Sequence, residues 1–149
     1  MMKKIKGLRW SLFLGFLWSV SFCYGQGAET QVRVFGIRSG NGNVVLTFFK
    51  NKEGFEKRQA FKKMVFDKKT ISSGHLTLAF KIEPGVYGIT LLDDENGNGK
   101  MDKNFIGMPK EGFGFSNFYM ERWKRPTFDD FKVNLTAAEN TVEVKVKYM

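Results

Sequence analysis

Thr141-Val142-Glu143-Val144-Lys145-Val146-Lys147-Tyr148 alternates polar and apolar side chains over eight residues without a break. Successive side chains of a strand point to opposite faces, so Val142, Val144 and Val146 share one face and the charges the other. A strand apolar on one face needs a second layer to cover it. Working back along the chain, the same period recurs in residues 131–135, in 86–92 with Tyr87, Ile89 and Leu91 on one face, in 75–80 and in 31–37. Pro84-Gly85 turns the chain between two of these runs. Residues 44–50 are β-branched and aromatic, and the dense turn signal Ser39-Gly40-Asn41-Gly42-Asn43 before them predicts a hairpin with 31–37. Residues 51–70 mix partly helical spacing at Phe55, Phe61, Met64 and Val65 with many lysines, and predict a loop or short helix followed by a strand near Met64-Val65-Phe66. Residues 103–127 hold no clear period and are expected to form one long loop. About seven short strands separated by Gly and Asn turns predict an all-β protein, an antiparallel β-sandwich. Turn connections in place of crossover helices exclude a parallel α/β sheet.

The first 25 residues are set apart from that fold. Lys3, Lys4, Lys6 and Arg9 precede an apolar run at 11–22, and Gly25 offers a small residue for cleavage before Gln26. This is the layout of a signal peptide, and the apolar run is shorter than the roughly 20 residues that span a bilayer. An uncleaved anchor and a lipid-modified Cys23 are the alternatives, although bulky Phe22 precedes that cysteine. The expected organisation is therefore a signal peptide at 1–25 and a single β-sandwich domain at 26–149, periplasmic or extracellular, with no transmembrane segment after cleavage. The only cysteine leaves with the leader, so no disulfide supports the exported domain. Without the leader's four bases, 20 basic residues face 15 acidic ones, and a net charge of +5 excludes an electrostatic nucleic-acid binder.

The chemistry-bearing stretch is Asp93-Asp94-Glu95-Asn96-Gly97-Asn98-Gly99-Lys100-Met101-Asp102. Oxygen-bearing side chains at Asp94, Asn96 and Asn98, a glycine at 99 and an acid at Asp102 reproduce positions 1, 3, 5, 6 and 9 of a calcium loop. Lys100 would add its backbone carbonyl at position 7. The twelfth position, a bidentate Glu in a full EF-hand, is Phe105, so the ligand set must be completed by Asn104, Glu111 or water. Two charged ligands predict weak Ca2+ binding, with a Kd on the order of 0.1–1 mM. The competing reading is a metal-free turn closed by Asn and Asp on their own backbone.

Three stretches carry a family resemblance: Asp94-Glu95-Asn96-Gly97-Asn98-Gly99-Lys100-Met101-Asp102, then Phe105-Ile106-Gly107-Met108-Pro109-Lys110-Glu111-Gly112-Phe113-Gly114-Phe115-Ser116-Asn117, then Pro126-Thr127-Phe128-Asp129-Asp130. With Val34-Phe35-Gly36-Ile37-Arg38-Ser39 before them, they make residues 30–148 resemble the DUF2141 family of exported bacterial proteins. The resemblance implies an immunoglobulin- or transthyretin-like sandwich and export. It implies no reaction.

Other features divide between a functional and a packing role. The four phenylalanines of 105–118 suit an aromatic platform for a sugar or peptide, or a plug for the open end of the sandwich; phenylalanine lacks a polar handle, which favours the plug. Glu111, Tyr119, Arg122 and Trp123 are the candidate ligand-binding residues of a carbohydrate- or peptide-recognition surface over 105–125. Lys57, Arg58, Lys62, Lys63, Lys68 and Lys69 predict a solvated sheet edge. His75, the only histidine, makes no zinc site alone, and no serine stands in a nucleophile elbow. A glycosidase pair of Glu111 with Asp129 or Asp130 is the remaining enzymatic arrangement. The expected function is a non-catalytic exported module with Ca2+ in its Asp/Asn/Gly loop, serving a binding or structural role toward an envelope protein or glycan, with carbohydrate or peptide recognition as the alternative.

Overall fold

The computed structural model describes residues 27–122 and 124–149. The predicted leader, with Cys23, and the candidate ligand residue Trp123 lie outside the described residues. The elements are β1 (Ala28–Phe35), β2 (Asn43–Phe49), α1 (Lys52–Glu56), β3 (Lys62–Asp67), β4 (His75–Ile82), β5 (Gly85–Asp94), β6 (Gly112–Phe115), α2 (Phe128–Phe131), β7 (Lys132–Leu135) and β8 (Asn140–Lys145). They form two facing sheets. One has three strands in the order β4-β1-β8 and the other five, in which β3-β2-β5 continues into β6 and β7 along successive parts of one edge of β5. The chain is an all-β sandwich, as its alternation predicts. None of its helices is long and apolar enough to cross a membrane, among the described residues.

Two features of the topology depart from the sequence reading. β1 and β2 do not form a hairpin: β1 pairs with β4 and β8, whereas β2 pairs with β3 and β5. The turn at 39–43 therefore carries the chain from one sheet to the other. It is held by Lys68, whose Nζ donates to the carbonyls of Ser39 (3.2 Å) and Asn41 (2.6 Å), in place of a ladder between its flanks. The second departure is that β1 and β8 run parallel, with Val32 opposite Val142 and Val34 opposite Val144. These are the first and last strands, so the other sheet supplies the long connection that a parallel pair requires.

The alternating valines of β1 and β8 face Val44, Leu46 and Phe48 of β2 and Tyr87, Ile89 and Leu91 of β5 across a single apolar core. A second cluster covers the outer side of the five-stranded sheet, where Phe49 packs with Phe55 of α1 and with Phe128 and Phe131 of α2. Phe115 and Phe118 close its margin, with the Phe115 ring 5.1 Å from that of Phe131. The two helices are short but well started: Asn51 Oδ1 accepts from the N–H of Gly54 at 2.8 Å, and Thr127 and Asp130 form a capping box. The lysines of β3 lie on a sheet edge as predicted, with Lys62 and Lys63 exposed. Lys68 is the exception: its side chain has no solvent contact.

Part of the stretch expected to be loop is strand β6, Gly-Phe-Gly-Phe. Its glycines are there because β6 runs tightly against β8 and the residues that follow it, with Phe113 and Lys147 exchanging backbone hydrogen bonds at 2.9 and 2.7 Å. A Cβ on Gly114 would lie 2.5 Å from Val144 Cγ1 and 3.0 Å from the Lys145 carbonyl oxygen, and one on Gly112 would lie 2.6 Å from Val146 Cγ1. Gly114→Ala is therefore expected to destabilise the domain by about 1–3 kcal/mol through overpacking. Urea unfolding reads this directly, and an unchanged midpoint would show that the two strands have room to separate.

Candidate metal centre

The centre begins at the last two residues of β5. Asp93 and Asp94 are both buried, at 0% and 1% exposure, and face different partners. Asp94 turns into the loop that follows: Oδ1 accepts from the N–H of Asn98 (3.0 Å) and Oδ2 from that of Gly99 (2.7 Å). Asn96 Oδ1 also accepts from Asn98 N–H (3.0 Å), and Asn98 Oδ1 from Lys100 N–H (2.8 Å). These bonds wind the backbone around the three side chains. Gly99 has φ 74°, a left-handed conformation that a side chain would strain.

The fourth predicted ligand closes the ring. The Asp102 carboxylate accepts from Asn96 Nδ2 at 2.5 Å and from Asn98 Nδ2 at 3.1 Å. Asp94, Asn96, Asn98 and Asp102 are thus gathered on one turn, with the main chain of Lys100 between them. Among the described residues no three His, Cys, Asp or Glu side chains form a metal-binding group; this turn offers two carboxylates and two carboxamides.

Glu111 lies beneath the loop and is 4% exposed. Its Oε1 accepts from Glu95 N–H and its Oε2 from Asp102 N–H, each at 3.1 Å, so one carboxylate ties the first part of the loop to its end. Asn104 has a different task, since its Oδ1 accepts from Ile106 and Met108 in the next turn. Of the two residues considered for completing the ligand set, Glu111 touches the loop and Asn104 is engaged beyond it.

A charged network fixes the base of this loop. Asp93 pairs with the fully buried ammonium of Lys68 and accepts a hydrogen bond from the Tyr148 hydroxyl. Burial, and then the Asp93 carboxylate, push the Tyr148 hydroxyl well above the usual phenol range. Tyr148 Oη in turn accepts from Arg38 N–H at 3.1 Å, and the Arg38 guanidinium lies 4.3 Å from the centre of the Tyr148 ring. That guanidinium forms an ion pair with Glu95, to which the Ser39 hydroxyl also donates at 2.8 Å. The Arg38 hydrogen bond, followed by that of Ser39, brings the Glu95 carboxyl down to about 2.

The candidate ligand-binding residues are divided by the fold. Tyr119 and Arg122 line a shallow groove with Arg125 and Pro126, and Lys145 lies over the Tyr119 ring at 4.4 Å. Glu111 belongs to the acidic loop and does not meet them. Nor does it meet Asp129, paired with Lys132 at 2.5 Å, or Asp130, engaged in the α2 cap. The sequence reading placed Lys68 on a solvated edge and Asp93 only at the head of the acidic stretch, and it did not join either to Arg38 or Tyr148. Tyr148 carried a signal, because its place in the alternation turns a hydroxyl inward, where it needs a partner.

Two measurements follow from this network. Lys68→Met leaves Asp93 buried without its cation and is expected to cost about 3–5 kcal/mol in chemical denaturation, much of it recovered in Lys68→Met/Asp93→Asn. Recovery of none of it would show that Lys68 acts through packing alone. The Glu95 carboxyl is lower in the folded chain than in the unfolded one, so its contribution is present above about pH 4.5 and is lost as pH falls toward about 2. Arg38 is half exposed, which screens the pair to about 0.5–1 kcal/mol. Glu95→Gln should flatten the stability profile across that interval, and an unaltered profile would assign the acid sensitivity elsewhere.

A family model described as "Uncharacterized protein conserved in bacteria (DUF2141)" matches residues 32–143. No curated protein and no solved structure matches the chain. The matched span runs from within β1 to within β8 and takes in the whole acidic loop, the loop's brace at Glu111 and both sheets. On this match over most of its length, the chain belongs to the DUF2141 family.

Proposed function

We propose that the protein is an exported, non-catalytic β-sandwich module that holds a calcium ion in its 94–102 loop and serves a binding or structural role in the cell envelope. The observation that carries the reading is the convergence of Asp94, Asn96, Asn98 and Asp102 on one turn, with Asp94 fixed at the end of a buried strand. Calcium takes six to eight hard oxygens. The four side chains and the Lys100 carbonyl offer five, and Glu111 or water supplies the rest. Asp94 is engaged by backbone N–H groups and Asp102 by the two Asn amides, so each carboxylate is already held on the turn, and a divalent ion there would neutralise both.

The export half of the reading is supported by the basic, apolar and small-residue order of 1–25 and by the cysteine-free domain that follows. The non-catalytic half is supported by the way the acids are engaged, with Glu111 on two backbone N–H groups, Asp130 in a helix cap and Asp129 on Lys132. For a domain without disulfides, a weak ion adds useful stability. With Kd about 0.1 mM and free calcium about 1 mM, linkage contributes about 1.4 kcal/mol.

Thermal melting in 1 mM CaCl2 and in EDTA tests the reading. Calcium is expected to raise Tm by about 5 °C, and the increment should disappear in Asp102→Ala. Equal melting temperatures in calcium and in EDTA would remove the metal from the proposal.

A further inference from the structure

Immediately after the acidic loop the chain makes a second, opposite kind of turn. Lys103 and Pro109 pair as an isolated bridge, and residues 104–108 form the tip between them. Four hydrogen bonds hold this tip. Asn104 Oδ1 accepts from Ile106 N–H (3.1 Å) and Met108 N–H (2.9 Å), the Asn104 carbonyl accepts from Gly107 N–H (2.9 Å), and the Met108 carbonyl accepts from Asn104 N–H (2.9 Å). On this ordered turn Phe105 is 99% exposed and Ile106 64%. The other phenylalanines of the region behave differently, since Phe113 and Phe115 are half-buried. The exposure is therefore built by the backbone hydrogen bonds of the tip and is not slack in a loose loop.

The charge around the tip has one sign. Lys103 and Lys110 stand on its two legs and Lys100 precedes it, all exposed, and none forms a salt bridge among the described residues. No acid occurs between 103 and 110. Beside the tip, Lys103, Arg58 and Arg125 border an apolar groove floored by Met101, Pro109 and Phe113. The two acids that flank the segment, Asp102 and Glu111, are engaged in the loop.

A convex wedge of two apolar side chains inside a collar of cations is complementary to one surface in particular. We infer that the 103–110 turn docks the protein on an anionic phospholipid bilayer, with Phe105 and Ile106 entering the headgroup–acyl boundary and Lys103, Lys110 and the groove's arginines meeting the lipid phosphates. Interfacial binding of this kind adds buried apolar area to attraction for anionic lipid, so neither part suffices alone. A protruding tip also buries little area against a flat protein face, whereas a bilayer deforms around it. The assignment does not depend on calcium in the neighbouring loop.

Co-sedimentation of the mature protein recovered from producing cells with phosphatidylglycerol vesicles, in EDTA and again in calcium, tests it. Binding is expected to phosphatidylglycerol but not to phosphatidylcholine vesicles, and to weaken as salt rises. Phe105→Ser/Ile106→Ser should lower the partition coefficient by about tenfold or more with Tm unchanged, because neither side chain supports the core. Lys103→Glu/Lys110→Glu should lower it similarly at low salt. Equal partitioning of the native and Phe105→Ser/Ile106→Ser proteins would overturn the assignment. So would a concentration-dependent dimer in sedimentation velocity that this double variant abolishes, since the tip would then contact a second copy.

Discussion

The ammonium of Lys68 is buried without solvent contact and finds its compensation at Asp93 and at two backbone carbonyls of the 39–41 turn. Removing such a charge from water costs several kcal/mol, and only close pairing offsets it. That requirement brings three distant parts of the chain to one point: the crossing between sheets, the end of β5 and, through the Tyr148 hydroxyl, the C-terminal segment. The apolar core holds the sheets together but is non-directional. The polar knot is directional. It fixes where β5 ends relative to the other sheet, and so where the acidic loop stands. The Arg38–Glu95 pair extends the same constraint one step outward, to the first residue after β5.

Strands buried on one face were legible from their period alone, and β2 and β5, largely covered on both faces, from β-branched and aromatic runs next to turn residues. β1, β4 and β8 alternate because their outer faces meet water, and the sequence carries that period openly. The hairpin at 39–43 was misread because Gly-Asn turn chemistry is the same whether the flanking strands pair or part, and the deciding contact, Lys68, lies more than twenty residues away. β6 was hidden for a related reason. Gly112 and Gly114 look like loop punctuation, yet their side chains are missing because β8 and the Val146–Tyr148 segment after it occupy the space. Lys68 itself stood in a run of lysines whose other members are solvated, and no local pattern separates the one that turns inward.

The acidic loop was legible because its spacing is its geometry: alternate residues on a tight bend converge, and Asp94, Asn96, Asn98 and Asp102 do so. Glu111 was legible only as a nearby carboxylate. Its hydrogen bonds to Glu95 and Asp102 depend on β6 pairing with the end of β5, which delivers residue 111 beneath the loop. Tyr119 and Glu111 were grouped by proximity in sequence, and the chain between them, β6 and the turn after it, carries them to different sites.

Two successive turns between β5 and β6 use one device for opposite ends. In each, a side-chain carboxylate or carboxamide near the start, Asp94 or Asn104, accepts two backbone N–H groups further on and closes the bend. The first turn thereby faces its polar side chains inward, and the second faces its apolar side chains outward. They share a junction, because Asp102 is bonded through its N–H to Glu111 and through its carbonyl to Lys110, while Lys103 begins the next turn. Lys103 and Lys110 are held at the base of the tip whatever occupies the loop, because the Asp102–Lys110 bond is a backbone bond. The collar of charge thus belongs to the fold itself, and filling the loop would remove negative charge beside it without moving its cations.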